Sequence, residues 1–158
     1  MGKLLEVIDL KKYYPPRHEF LLSNKGGDIR AVDGVSLRIS DGETLGLAGE
    51  SGCGKSTLGR TILRLEEPDS GNIVFRDTNI IGLKKNDLKW FRKEAQMVFQ
   101  DPKASLDPRM TAGNSIEEAL IIHGMGAEDE RSDMVEKLLQ KVGLEPDFMS
   151  RYPHELSG

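Results

Sequence analysis

Alternating apolar and polar positions predict strands in the first part of the chain. The alternation runs over Lys3–Asp9 and again over Asp28–Ser40, as expected for strands with one buried face. The turn residues Asp41-Gly42 precede a short apolar stretch, Thr44–Ala48, so a hairpin between two strands is predicted there. The predicted inward positions of the second strand are Ile29, Ala31, Val35, Leu37 and Ile39.

Helical spacing of apolar residues becomes the dominant pattern later in the chain. Helices are predicted over Ser56–Glu66, over Asn86–Lys93 with its start at Asn86 or Asp87, over Ile116–Ile122, and over Asp133–Val142 with Gly143 as its stop. Short strands are predicted over Asn72–Phe75 and Ala95–Phe99. Strands followed by a strand–loop–helix unit and then by helices favour an α/β core with two accessory layers.

Composition narrows the class of protein. A chain of 158 residues with 37% hydrophobic and 30% charged residues is long enough to bury a core and is typical of a globular domain. The net charge of −4 argues against non-specific nucleic-acid binding. A single cysteine, Cys53, excludes an intrachain disulfide. No run reaches the roughly 20 apolar residues of a membrane helix, so we expect any work at a membrane to depend on other subunits.

The segment Gly49–Thr57 carries the clearest chemistry. It fits the pattern G-x-x-x-x-G-K-[ST] and lies between an apolar stretch and a predicted helix, the context in which backbone N–H groups surround phosphate oxygens. Lys55 is predicted to reach the β- and γ-phosphates and to assist catalysis, and the Ser56 hydroxyl is predicted to bind Mg²⁺. The predicted ATP-binding residues of this loop are Gly49, Ser51, Gly52, Cys53, Gly54, Lys55, Ser56 and Thr57.

Four further segments carry a family resemblance: Leu10–Tyr14, Ala31–Ser36 followed by Asp41–Leu47, Val98–Pro102 with Ser105–Thr111, and Arg151–Gly158. Together they span nearly the whole chain. They resemble the ATP-binding subunits of ABC transporters, and most closely their oligopeptide/dipeptide importer branch. The resemblance implies an α/β P-loop NTPase fold, with an antiparallel β-subdomain at the N-terminus and a helical subdomain. It also implies three regions within one partial ATP-binding domain: residues 1–43, 44–100 and 101–158.

The resemblance assigns roles outside the phosphate loop. Tyr14 is expected to stack on adenine, with Tyr13 as the alternative. The competing interpretation is that both tyrosines only pack at the end of the β-subdomain. Gln100 is expected to contact Mg²⁺ or the attacking water and to sense the γ-phosphate. Ser157 and Gly158 are expected to face the γ-phosphate held by a partner cassette, because a helix N-terminus favours an anion.

The resemblance also implies elements that would follow Gly158, including a catalytic glutamate and a switch histidine. General-base help to water is worth typically 10²–10⁴-fold, so we expect these 158 residues to bind ATP better than they hydrolyse it. We also expect a core that is incomplete at the C-terminus and a chain of marginal stability. Hydrolysis is expected in the full-length parent.

The partners implied by the resemblance are a second ATP-binding subunit, in a homo- or heterodimer, transmembrane permease subunits and, indirectly, a substrate-binding protein. The implied location is the cytoplasmic face of the cell membrane. A nucleotide-binding or interaction module without turnover remains the alternative. A phosphate-loop enzyme of another type, such as a small kinase, is disfavoured by the joint occurrence of Gln100-Asp101-Pro102 and Leu156-Ser157-Gly158.

Overall fold

A computed structural model describes residues 2–16, 27–101 and 105–156 of the chain. The described residues divide into two units, one ending at Met97 and the other beginning at Val98. The first contains strands β1 (Lys3–Tyr14) and β2 (Ile29–Ser40), helix α1 (Lys55–Ile62), strands β3 (Ser70–Phe75) and β4 (Thr78–Asn79), and helix α2 (Lys89–Glu94). The second contains helices α3 (Ala112–Ile122) and α4 (Glu128–Lys141), followed by 3₁₀ helices at Pro146–Ser150 and Pro153–Glu155.

The strands of the first unit form one antiparallel sheet in the order β2-β1-β3-β4. Its core joins the sheet to both helices. The buried apolar residues of this core are Leu5, Val7, Leu10, Val32, Leu58, Ile73, Phe75, Ile80, Leu88 and Phe91. Phe91 of α2 meets Phe75 of β3 edge to face, with ring centroids 5.1 Å apart, a geometry that aromatic pairs favour.

A bulge at Asp9 interrupts the alternation of β1. Val7 and Leu10 are both buried, although regular alternation would place them on opposite faces. Asp9 has a φ of 47°, and the pairing register with both neighbouring strands shifts at this point. Gly71 of β3 packs against the bulge: a Cβ there would lie 2.6 Å from the Asp9 carbonyl oxygen and from the Leu10 Cα. The extra residue moves every later side chain of β1 to the other face.

A second irregularity lies in β2 and corrects one sequence prediction. The register between β1 and β2 shifts between the pairs Leu10–Val35 and Lys12–Val32. Val32 is therefore buried, whereas Ile29, predicted to point inward, is 55% exposed. A shift in the pairing register breaks the strict alternation of inward and outward side chains here, as it does in β1.

The predicted strands Thr44–Ala48 and Ala95–Phe99 are absent from the structure as described. The strands of the described sheet pair only with one another, so neither stretch gains the hydrogen-bonded neighbour that a strand needs. Leu47 is 52% exposed and Val98 91% exposed. The turn at Asp41-Gly42 does form, because the Glu43 N–H donates to the Ser40 carbonyl at 3.1 Å, but β2 pairs with β1 and the predicted hairpin is wrong.

The remaining differences concern helix ends. The helix predicted from Asn86 or Asp87 begins at Lys89 after a turn at 84–87. Helix α4 begins at Glu128, so the polar segment Glu128–Asp133 is a solvated helix start, as its sequence predicts, and lies ahead of the apolar spacing that begins at Asp133. The second unit has its own core of Leu120, Val135 and Leu139, against which Ile116, Met134 and Phe148 pack. No helix in the described ranges is both long and apolar enough to cross a bilayer.

Candidate functional site: the phosphate loop and its tyrosine

The phosphate loop ends where α1 begins, and Gly54 makes this junction. Gly54 is the N-cap of α1 with a φ of 94°, a conformation that costs a residue with a Cβ about 1–2 kcal/mol. Its carbonyl accepts from the Leu58 N–H at 2.8 Å, the first hydrogen bond of the helix. A Cβ on Gly54 would overlap the carbonyl oxygen of Ala31. The loop therefore sits directly against β2, and only glycine fits at this position.

Lys55 turns its ammonium group back into the loop. Its Nζ donates to the carbonyl oxygens of Gly49 at 2.8 Å and of Glu50 at 2.6 Å, and lies 3.4 Å from the Sγ of Cys53. The three protons of an ammonium group are thus directed at the inner surface of the loop. The positive charge lies at the N-terminal end of α1, where the helix dipole adds to it. A ligand with several anionic oxygens could contact both the Lys55 ammonium and the N-terminal end of α1.

The rest of the predicted loop residues lie in the same small region. Gly49 approaches Cys53 closely, since a Cβ on Gly49 would lie 2.8 Å from the Cys53 Sγ. Ser51 and Ser56 are exposed, and Ser56 lies in the first turn of α1 next to Lys55. The carbonyl of Thr57 accepts from the buried Thr61 hydroxyl at 2.8 Å. That bond lies within α1, whereas the loop residues Ser51, Gly52 and Cys53 are exposed.

The structure separates the two adjacent tyrosines. The Tyr14 hydroxyl donates to the Glu66 carboxylate, beyond the end of α1, and also interacts with the Thr57 hydroxyl. The Tyr13 hydroxyl donates instead to Asp33 of β2 at 2.5 Å. Tyr14 therefore reaches the phosphate loop at Thr57, whereas Tyr13 pairs with a side chain of β2.

Carboxylate partners raise the pKa of both tyrosine phenols. The hydrogen bond to Glu66, followed by burial, raises the pKa of Tyr14, while the Thr57 hydroxyl lowers it to a smaller extent. The hydrogen bond to Asp33 raises the pKa of Tyr13 in the same way, and that bond lowers the pKa of the Asp33 carboxyl.

Three predicted site residues belong to other parts of the chain. Gln100 lies in the second unit, in an exposed stretch without regular structure. Ser157 and Gly158 lie outside the described residues. Their predicted roles stay predictions.

The chemistry of the loop is compatible with phosphate groups and a metal ion. The close approach of Gly49 and Gly54 to their neighbours leaves no room for side chains, so the backbone itself forms the surface of the loop. In the described ranges no three His, Cys, Asp or Glu side chains form a group that could hold a metal ion. Magnesium in phosphate sites needs only one or two protein ligands, since phosphate oxygens and water supply the others. The Ser56 hydroxyl beside Lys55 suits such a site.

Sequence reasoning missed the residues that surround Tyr14. Glu66 accepts from its hydroxyl, and Arg60 of α1 lies 3.5 Å from the Glu66 carboxylate. The Lys12 ammonium lies 5.4 Å from the centroid of the Tyr14 ring. Glu66 is 52 positions from Tyr14 in the chain, and no local pattern marks a contact of that separation. Only the packing of α1 on β1 creates it.

Comparison with known proteins gives close relatives over nearly the whole chain. The family model of the ABC transporter family matches residues 32–158. The oligopeptide transport ATP-binding protein AppF of Bacillus subtilis is 53% identical over 98% of this chain and 47% of its own length. The dipeptide transport ATP-binding protein DppF of Haemophilus influenzae is 44% identical over 98% of this chain and 47% of its own length. The chain thus spans about half the length of these curated relatives.

A solved structure shows the same fold. It is the dimeric post-hydrolysis state of the ATP-binding cassette MJ0796 bound to ADP and Pi, with a TM-score of 0.76 and 27% sequence identity. The match covers 98% of this chain and 63% of the cassette.

Proposed function

This chain belongs to the ABC transporter family, and on that premise we propose that it binds Mg-ATP at Gly49–Thr57. The observation that carries the proposal is the position of the Lys55 ammonium, which is held by the Gly49 and Glu50 carbonyls at the start of α1. Phosphate oxygens are stronger partners for an ammonium group than carbonyls are. In the complex, Lys55 would exchange these carbonyls for the β- and γ-phosphates.

The other loop residues would contact the phosphate oxygens and the Mg²⁺ ion. The backbone N–H groups of the loop, including those of Ser51, Gly52, Cys53 and Gly54, would donate to phosphate oxygens, as expected for a loop that leads into a helix N-terminus. The Ser56 hydroxyl would supply the protein ligand of Mg²⁺. The bound ion would neutralise phosphate charge, which is its usual contribution in such sites.

Tyr14 would hold the adenine ring by stacking. The effect of the Thr57 hydroxyl on the pKa of Tyr14 supports this role, because one ligand with a base at one end and phosphates at the other needs the ring near the phosphate loop. Stacking of a base on an aromatic side chain contributes about 1–3 kcal/mol and discriminates little between bases. The phosphate contacts would therefore provide most of the affinity.

Residues of the second unit and of the C-terminus would act in the assembled transporter. We propose that Gln100 contacts Mg²⁺ or the attacking water. Ser157 and Gly158 would face the nucleotide of a second cassette, in a homo- or heterodimer. The dimeric state of the MJ0796 cassette supports a two-cassette arrangement.

The transport role rests on the relatives. Since oligopeptide and dipeptide transport ATP-binding proteins are 44–53% identical to this chain, we propose that the whole protein hydrolyses ATP to power the import of such peptides. It would dock on transmembrane permease subunits at the cytoplasmic face of the membrane, and a substrate-binding protein would deliver the peptide.

Thermal unfolding with and without Mg-ATP tests the binding proposal. ATP at 100 times its dissociation constant adds about 2.7 kcal/mol, or roughly 5–10 °C for a chain of this size. Lys55→Ala is expected to abolish the shift. Lys85→Ala, at an exposed lysine of the first unit, is the matched control and should retain it. An equal shift in both variants would contradict binding at the phosphate loop.

A further inference from the structure

Glu66 connects the tyrosine of β1 to the helix that carries the phosphate loop. Its carboxylate accepts from the Tyr14 hydroxyl and lies 3.5 Å from Nη1 of Arg60. Its own N–H donates to the Arg60 carbonyl at 3.4 Å. Backbone and side chain of Glu66 are thus both fixed to the last turn of α1, and this fixed carboxylate holds the end of the Tyr14 ring.

Lys12 restrains the same ring from a second direction. Its ammonium lies 5.4 Å from the ring centroid, a distance suited to a cation–π contact. The same ammonium lies 3.9 Å from the Asp69 carboxylate. The Thr57 hydroxyl also acts on the phenol, since it lowers the pKa of Tyr14. The Tyr14 ring is therefore held at its hydroxyl and over its face before any ligand arrives.

We propose that Glu66 is a positioning residue for nucleotide binding, which holds the Tyr14 ring in place relative to the phosphate loop. The inference rests on the proposed function, because it assigns Glu66 a role in ATP binding through Tyr14. A single ATP molecule must meet the ring and the loop together, and holding both at a fixed separation removes an ordering cost from binding. Glu66 supplies that link because α1 carries the loop at one end and Arg60 near the other.

The neighbouring glutamate provides a matched control. Glu67 has the same side chain and is more exposed, at 65% against 25% for Glu66. It pairs with Arg64 at 2.8 Å. Glu67→Ala removes a carboxylate from the same turn without touching the tyrosine.

The experiment compares the affinity of the 158-residue chain for two ligands, Mg-ATP and inorganic tripolyphosphate, by calorimetry. Tripolyphosphate occupies the loop but has no base. Glu66→Ala is expected to weaken ATP binding roughly fivefold to twentyfold, a loss typical of a misplaced stacking partner, and to leave tripolyphosphate binding unchanged. Glu67→Ala should change neither affinity. Glu66→Gln retains an acceptor for the phenol and should restore ATP affinity to within about threefold of the original.

A double variant separates positioning from a direct contact with the base. Tyr14→Phe keeps the ring but removes the hydroxyl that Glu66 holds. If Glu66 acts through Tyr14, Glu66→Ala should weaken ATP binding no further in the Tyr14→Phe background. Additive losses would overturn the inference.

Other outcomes would also overturn it. Unchanged ATP affinity in Glu66→Ala would show that the ring needs no anchor, and equal losses for ATP and tripolyphosphate would show a general disturbance of α1. If Glu66→Ala fails to fold, Tyr14→Phe decides through the same pair of ligands, because it removes the hydroxyl that Glu66 holds: it should weaken ATP binding and leave tripolyphosphate binding unchanged, and unchanged ATP affinity would overturn the inference. Failure of the unaltered chain to bind either ligand would refute the proposed function itself, which the two-ligand comparison keeps distinct from failure of the Glu66 assignment alone.

Discussion

Replacing Gly71 by alanine should destabilise the first unit through a backbone collision at the β1 bulge. Gly71 has a φ of 102°, which disfavours any residue with a Cβ. The new methyl group would also lie 2.6 Å from the Asp9 carbonyl oxygen, 2.6 Å from the Leu10 Cα and 2.8 Å from the Ile8 carbonyl oxygen. All three are main-chain atoms of a central strand, so no side-chain rotation relieves the contact.

The expected cost has two parts. Holding alanine at a positive φ costs about 1–3 kcal/mol, and overpacking a well-filled site costs typically about 1–3 kcal/mol more. Gly82→Ala separates them, because Gly82 also has a positive φ, of 82°, but a Cβ there meets nothing within 4 Å. Both changes reduce the freedom of the unfolded chain equally. We therefore expect Gly71→Ala to lower the free energy of unfolding by about 1–3 kcal/mol more than Gly82→Ala does.

Urea unfolding followed by tryptophan fluorescence measures this difference. Trp90 is the single tryptophan of the chain, and its ring lies 5.9 Å from that of Phe75, which lies on the same strand as Gly71, β3. With a slope of about 2 kcal/mol/M, the two midpoints should differ by roughly 0.5–1.5 M. Equal midpoints for the two variants would refute the close packing of Gly71 against the bulge.

Three further predictions concern local features. Hydrogen bonds from the Arg109 side chain and N–H lower the pKa of the Asp107 carboxyl to about 2. Because the folded chain favours the carboxylate, Asp107 contributes to the free energy of unfolding above its ordinary pKa of 3.8. This stabilisation is lost as the pH falls through about 2. Carboxyl NMR titration should show this midpoint, and Arg109→Ala should raise it. Thr111 caps α3 by accepting from the Asn114 N–H at 3.2 Å, so Thr111→Ala should cost about 1 kcal/mol, measured by hydrogen exchange in the first turn; unchanged exchange would contradict it. Alkylation of the exposed Cys53 by N-ethylmaleimide should block ATP binding by bulk, and bound Mg-ATP should slow the labelling; labelling at one rate in both conditions would argue against a nucleotide beside this thiol.

Much of the architecture follows from local signals in the sequence. The family and the fold class inferred from the motifs are confirmed by the comparisons. Glycine at Gly54 and the apolar spacing that includes Leu58 mark the start of α1 within one residue of its predicted position. The positive φ of Gly143, at 78°, directly after the C-cap residue Val142, matches its predicted role as a helix stop. These features depend on neighbouring residues alone, which is why the sequence suffices.

Features that depend on distant neighbours were not predictable. Thr44–Ala48 has the composition of a strand, but a strand exists only where another strand pairs with it, and the described sheet offers it none. The burial of Val32 and the link between Tyr14 and Glu66 both follow from irregular pairing and packing. The roles of Gln100, Ser157 and Gly158 remain predictions for the same reason, since their proposed partners lie beyond the contacts described.

The bulge at Asp9 gives the sequence Lys11-Lys12-Tyr13-Tyr14 an unexpected meaning. With the bulge, Lys12 and Tyr14 share the face that meets α1; a straightened strand would deliver Lys11 and Tyr13 to the same two places, because each later residue would advance by one. Because each residue type is repeated, one lysine and one tyrosine face α1 in either register. A chance insertion of one residue between the bulge and this doublet would likewise leave a lysine and a tyrosine facing the helix. A one-residue change in the length of β1 at this point would therefore keep a lysine and a tyrosine on the face toward α1.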